Sequence, residues 1–184
     1  MANLGARRPK MKQWMHSSAG LRVVFIFLLG TAASAQEPKS TAAFARLTSL
    51  VGEWTGVESG TPVIVTYTLI ADGSTLMEDT RPADGSSTLA METMFSVDGN
   101  RLLATHYCDA KNQPQMATQA ITNPGAKSFA FSLVRVTGMK TPGDWHNTSV
   151  EITLDDKDHL TQKWTYLSKG KSGTTIFHLT RKSV

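Results

Sequence analysis

The stretch Ala104 to Met116, "ATHYCDAKNQPQM", sets a histidine, a tyrosine and the chain's single cysteine at three consecutive positions. A loop of amides and one proline follows directly. Three chemistries use such residues. An imidazole and a thiol can act as base and nucleophile if they lie within hydrogen-bond reach. The same pair can ligate a metal ion if further ligands join them. The polar tips can also rim a cavity in which a few convergent groups orient a largely apolar molecule. His106 and Cys108 would share a face of a strand but stand ~7 Å apart at the backbone, too far for direct proton transfer. No third ligand accompanies them at a fixed offset. No Gly-x-Ser-x-Gly elbow, phosphate-binding loop or His-Glu-x-x-His motif occurs. A second histidine pair, His146 and His159, falls at opposite ends of one expected hairpin. About eight residues at ~3.3 Å each separate them by roughly 26 Å, which rules out a shared metal. No catalytic residue and no metal ligand set is therefore assigned, and the cofactor is left open.

The first 35 residues are set apart from whatever positions these groups. Arg7, Arg8, Lys10, Lys12 and Arg22 precede and enter the apolar run "VVFIFLL", and "GTAASA" follows before Gln36. A basic start, a short apolar core and small residues at the end are the parts of a secretory signal peptide. The run is too short for the ~20 apolar residues of a membrane span. Met11 offers a second start that keeps Lys12 and Arg22. No cysteine stands at the cleavage point for lipid attachment. The expected organisation is a signal peptide at 1–35 and one domain at 36–184, exported to the periplasm or the outside. Five of the 19 basic residues and none of the 15 acidic ones lie in the leader, so residues 36–184 carry 14 against 15, a net charge of −1. The alkaline isoelectric point belongs to the leader, so the domain has no basic excess to recruit nucleic acid. No stable membrane insertion is expected once the signal is removed. With one cysteine, stability must come from the core rather than from an internal disulfide.

One helix is predicted at the front, capped by Ser40 or Thr41, with Phe44, Leu47, Leu50 and Val51 at helical spacing and Gly52 ending it. The remainder reads as ten strands, 53–59, 62–70, 74–81, 87–97, 101–108, 115–121, 127–136, 148–154, 159–167 and 174–182. Turn residues punctuate them, among them Asp98-Gly99-Asn100 and Lys169 to Gly173. Alternation is clear in Val63, Val65, Tyr67, Leu69 and in Leu160, Gln162, Trp164, Tyr166. One apolar and one polar face per strand describes an antiparallel meander. Closure removes the exposed edges of a flat ten-strand sheet and can enclose a cavity, so an all-β up-and-down barrel is expected. A two-sheet sandwich is the competing architecture.

"LVGEWTG", Leu50 to Gly56, resembles the Gly-x-Trp signature of the lipocalins and the wider calycin group. In that group an arginine on the last strand packs over the signature tryptophan. The last strand here, "TTIFHLTRK", offers Arg181, and a ten-strand meander brings its end beside the start of the first strand. Trp54 and Arg181 are thus expected as a structural pair closing one end by cation–π stacking. The strand count and the whole of 36–184 look most like nitrobindin-like domains and exported bacterial relatives of unassigned function. The resemblance implies haem held by a histidine near the C-terminus, which points to His178 and to chemistry on nitrogen oxides or peroxides. His178 lies an odd number of residues from Arg181, so it faces solvent if Arg181 faces inward.

The same topology gathers the remaining polar groups at the opposite, open end. His106 and Cys108 finish the fifth strand there, Asn112 and Gln113 follow in the next loop, and His146 belongs to the 137–147 loop. With Trp164 from the ninth strand they form the candidate ligand-binding set, for a small molecule apolar in part. An equally simple reading makes Asn112 and Gln113 partners of loop backbone, His106 a packing residue and Cys108 a small buried hydrophobe. The 98–100 turn leaves the face of the fifth strand open. A two-residue loop sets Phe95 opposite Leu102 and turns Ala104, His106 and Cys108 inward. A three-residue loop sets Phe95 opposite Leu103 and turns Thr105 and Tyr107 inward.

Overall fold

Alternation of inward and outward side chains along the strands closes this chain on itself. The computed structural model describes residues 37–85 and 91–183. The leader expected at 1–35 lies outside the described residues, as do residues 87–90 of the fourth predicted strand. Ten strands follow one helix: β1 (Gly52–Glu58), β2 (Thr61–Ile70), β3 (Thr75–Pro82), β4 (Met91–Asp98), β5 (Arg101–Tyr107), β6 (Gln113–Ala117), β7 (Ser128–Thr137), β8 (His146–Leu154), β9 (His159–Ser168) and β10 (Lys171–Arg181). Each pairs antiparallel with its sequence neighbour, and β1 pairs with β10, so the sheet is a closed barrel rather than a sandwich. Inward positions such as Val65, Tyr67, Leu76, Phe95, Leu102 and Leu160 are almost wholly buried. Removing those side chains from water drives closure.

The helix α1 (Lys39–Leu47) and a following 3₁₀ turn (Thr48–Leu50) cover one end. Phe44, Leu47 and Leu50 are buried against the barrel core. The predicted caps are displaced. Pro38 occupies the N-cap with φ −54° and ψ 137°, and no side chain caps the helix. Ser40 lies within the first turn, where its hydroxyl instead donates to the Gly99 carbonyl at 2.6 Å. A tertiary acceptor on the β4–β5 turn has captured the group that local chemistry would have turned to the helix end.

Trp54 is fully buried at this end, and its indole N–H donates to the Leu50 carbonyl at 2.8 Å. It is the register partner of Arg181, whose guanidinium carbon stands 4.2 Å from the indole centroid. Arg181 also donates to the carbonyls of Lys157 at 3.0 Å, Val51 at 2.9 Å and Ser49 at 2.8 Å. One side chain therefore ties the 3₁₀ turn, the start of β1 and the β8–β9 turn together. Gly56, two residues on, lets β10 approach closely, since a Cβ there would stand 2.6 Å from the His178 carbonyl oxygen.

The turns fix the register. Gly99-Asn100 is a two-residue loop between Asp98 and Arg101, with Gly99 at φ +57°. Phe95 consequently faces Ala104, and Leu102 faces Val97. The two-residue alternative is therefore the one realised, with its pairing displaced by two positions and the faces unchanged. Leu102, Ala104 and His106 are buried in the interior. Lys169-Gly170 is a second tight turn, with φ +48° and +76°. That backbone matches the strand twist, so β10 begins at Lys171 and absorbs residues expected in the turn. β6 is shorter than predicted at its far end. After Thr118, whose hydroxyl accepts from the Leu102 N–H at 3.0 Å, the chain leaves the ladder. No described helix is long and apolar enough to cross a membrane.

Candidate functional site

A chain of buried polar groups crosses the barrel between the covered end and the open one. It is built from inward positions of five strands. Tyr67 on β2 donates its hydroxyl to Glu78 Oε2 on β3 at 2.6 Å. The Gln162 amide on β9 donates to that same oxygen at 2.6 Å and to the Tyr67 hydroxyl at 2.5 Å. The Trp164 indole N–H donates to Gln162 Oε1 at 2.8 Å. On the other side, the Thr93 hydroxyl on β4 lies 3.4 Å from Glu78 Oε1 and 3.0 Å from His106 Nδ1. His106 packs its ring 4.8 Å from that of Trp164. Its Nε2 is buried and has no hydrogen-bond partner among the described residues.

Burial dominates the electrostatics. Desolvation lifts the Glu78 carboxyl to about 7, against the opposing hydrogen bonds from Tyr67, Gln162 and Thr93. Desolvation also lowers His106 to about 4, partly offset by Asp109, so its imidazole is neutral at ordinary pH. The Tyr67 phenol is pushed well above its usual value by burial and by Glu78. Glu58 is raised by burial and then by the neighbouring charge of Asp109. Burial pushes the Cys108 thiol up to about 12, and its S–H points to Asp109 Oδ1 at 3.3 Å. A thiol in that state is a poor nucleophile.

The polar chain forms one wall of a small cavity whose water-accessible core is about 50 Å³. Glu58, Glu78, Thr80, His106, Asn147, Gln162 and Thr175 supply its polar lining, and Met91, Trp145, Trp164 and Phe177 its apolar lining. Three of these residues, Glu58, Thr80 and Met91, also line a wider hollow of about 270 Å³ that includes Ser59, Arg81 and Asp109. The inner cavity is far below the ~300 Å³ of a drug-sized site. It has room for on the order of four water-sized groups.

The structure divides the candidate residues of the sequence. His106 and Trp164 stand together on the cavity wall. Asn112 is buried at the loop behind it, where its amide donates to the Trp145 carbonyl at 2.6 Å. His146 holds the same loop through Nδ1 and the Asp144 carbonyl at 2.8 Å. Both therefore support Trp145, which lines the cavity and stacks on Tyr166 with ring centroids 5.3 Å apart. Gln113 lies on the outer face and accepts from the Thr137 hydroxyl. Cys108 is buried at the end of β5, beyond the cavity lining. His146 and His159 pair with opposite ends of β9 and β10 strands, the first with Leu167 and the second with Thr180.

Sequence reasoning missed Tyr67, Glu78, Thr93 and Glu58. The signal was present, since Glu78 shares the inward parity of Leu76 and Thr80, and Gln162 that of Leu160 and Trp164. A charged residue at an inward position is the informative exception to an apolar face. Among the described residues, no three His, Cys, Asp or Glu side chains group as a metal site. Haem, implied by the resemblance, does not fit the position it points to. His178 is exposed on the outer face of β10, 3.3 Å from the Thr161 hydroxyl, and the inner cavity is too small for a macrocycle.

No family model matches the chain, and no curated protein does. Among solved structures, it is similar to the crystal structure of Rv2717c from M. tuberculosis, with 13% identity and a TM-score of 0.53 over 77% of this chain and 98% of that one. A DUF3598-family protein of unknown function from Nostoc punctiforme matches with 15% identity and a TM-score of 0.49, over 74% of this chain and 48% of that one. The likeness to Rv2717c is one of fold, and the closed ten-strand barrel fits a calycin-like architecture.

Proposed function

We propose that this protein is an exported, calycin-related barrel that binds a small, partly apolar molecule in its interior without catalysing its conversion. The leader-like residues 1–35 support export to the periplasm or the outside. The Gly-x-Trp stretch with Arg181 supports the calycin relation, and the Rv2717c likeness is compatible with it. The binding reading rests on a single observation. A buried imidazole nitrogen without a partner among the described residues lies on the wall of a cavity that combines an apolar lining of Trp145, Trp164, Phe177 and Met91 with a few polar side chains. A buried polar atom left unpaired costs about 1–3 kcal/mol, and a ligand group that pairs with it recovers that cost. The cavity volume limits the bound part to a few heavy atoms, with any remainder in the wider hollow. Trp145 and Trp164 would report occupancy. A panel of small heterocycles, alcohols and amines, screened by thermal shift and tryptophan emission, should give saturable changes for some members. The reading fails if none binds the folded protein, or if substitution of His106 by phenylalanine leaves every affinity unchanged.

A further inference from the structure

The hydroxyl of Thr93 has one proton and two acceptors within reach, Glu78 Oε1 and His106 Nδ1. Tyr67 and Gln162 both donate to the other carboxyl oxygen, Oε2, so a proton added to Glu78 belongs on Oε1, facing Thr93. Two arrangements satisfy Glu78, Thr93 and His106 Nδ1, and both leave Nε2 free for a ligand. With Glu78 ionised, Thr93 donates to Oε1, His106 Nδ1–H donates to Thr93, and Nε2 carries a bare lone pair. With Glu78 protonated, Oε1–H donates to Thr93, Thr93 donates to Nδ1, and Nε2 carries the hydrogen. The exchange balances as a relay. A proton arriving from the cavity binds Nε2, the Nδ1 proton passes to Thr93, and the Thr93 proton passes to Glu78.

We propose that Glu78, acting through Thr93, sets the tautomer of His106, so that the cavity accepts a small neutral ligand through the ligand's own N–H or O–H only while Glu78 is ionised. This deepens the binding reading above and rests on it. The lining contains two carboxylates, Glu58 and Glu78, and no lysine or arginine, so an anion has no counter-charge and a hydrogen-bond donor is favoured. The titratable groups facing the relay are Tyr67 on β2, Glu58 on β1 and Asp109 after β5, with Arg81 further out in the hollow. β8, β9 and β10 contribute only uncharged side chains to the lining: Asn147, Gln162, Trp164, Thr175 and Phe177. The carboxyl lies near neutrality and the imidazole well below it, so Glu78 is the group that titrates while His106 stays neutral. Glu78 and Thr93 are positioning residues, and His106 Nε2 is the atom that meets the ligand.

The first test needs no ligand. Imidazole ¹⁵N shifts of the full-length protein, followed from about pH 5.5 to about pH 8.5, read the tautomer directly. The expected result is Nε2–H at the acid end and Nδ1–H at the alkaline end. Glu78→Gln should hold the Nε2–H form throughout, because its amide N–H takes the place of the carboxyl proton. Thr93→Val should uncouple His106 from pH, and Thr93→Ser should restore the coupling. A tautomer that stays constant across the range, or that switches equally in Glu78→Gln, overturns the proposal whatever the cavity binds. The second arm compares pyrrole with furan, which has the same shape but no N–H. Pyrrole should bind about tenfold more tightly at the alkaline end, one hydrogen bond's worth, and furan equally at both. A tautomer that switches while neither compound binds sinks the binding reading and with it the ligand preference. Pyrrole binding independent of pH, with the switch intact, overturns the preference alone.

Discussion

At the scale of single residues, Glu78 and His106 work against each other in the dependence of stability on pH. Glu78 rises from its ordinary 4.5 to about 7 in the fold. The folded state therefore holds its proton longer than the unfolded chain does, and stability is lost as pH climbs between those values. His106 falls from 6.5 to about 4, so the unfolded chain takes up its proton first and stability is lost as pH drops through that window. Each effect is worth up to about 3 kcal/mol, and they overlap between the two carboxyl and imidazole windows, where they nearly cancel. Single substitutions should separate them. Relative to the parent, Glu78→Gln should become progressively more stable as pH rises from acid to neutral. His106→Phe should show its advantage at the acid end and lose it toward neutrality. Urea unfolding at several pH values measures both differences. Parallel curves for parent and variants would show that neither group is buried in the ionic state inferred.

Among elements, the meeting of the 3₁₀ turn, β1, the β8–β9 turn and β10 depends on one guanidinium. Arg181 makes three hydrogen bonds to carbonyls and covers the Trp54 ring, a set that a planar fork can satisfy at once. Arg181→Ala should cost about 2–3 kcal/mol. Arg181→Lys should recover less than half of it, since one ammonium cannot reach three carbonyls on different segments. Equilibrium unfolding with near-ultraviolet circular dichroism on Trp54 would measure the loss, and a change within about 0.5 kcal/mol would show the pair to be incidental. This junction was legible in the sequence because a Gly-x-Trp stretch and a terminal arginine are brought together by any ten-strand meander. All ten strands were legible for a similar reason, as period-two alternation survives local noise. Capping was not, because the Ser40 hydroxyl is committed to Gly99, 59 residues away in the chain. The site was half legible. His106 and Trp164 announce themselves by residue type, whereas Glu78 and Thr93 look like ordinary surface positions until parity places them inside. Asn112 and His146 were read as ligand contacts from their end of the barrel, but their partners are the Trp145 and Asp144 carbonyls.

For the molecule as a whole, the barrel is closed unevenly. β9 and β10 are paired over ten positions, Lys171↔Ser168 through Thr180↔His159. β5 and β6 are paired over three, Leu103↔Ala117 to Thr105↔Gln115, β1 and β10 over only two, Trp54↔Arg181 and Thr55↔Thr180, and β6 and β7 slip register at Gln115/Met116. Helix packing closes the Trp54 end with aromatic and aliphatic side chains, while the polar chain and its cavity occupy the interior toward the other end. Two seams, β1–β10 and β5–β6, are the candidates for ligand entry, because opening a fully paired seam would cost several hydrogen bonds at once. β5 carries His106 and β6 flanks it, so of these two seams β5–β6 lies beside the recognition atom and is the expected entrance. Local opening free energies follow such differences, and native-state hydrogen exchange resolves them strand by strand. Amides of β6 and the adjoining edge of β5 should exchange through a sub-global opening, at least about tenfold faster than those of β9 and β10, which should exchange only with global unfolding. Pyrrole should slow the β5–β6 amides selectively at alkaline pH. Uniform protection around the barrel would mean that access to the cavity does not run through this seam, and would move the entrance to the loops around Glu58 and Arg81.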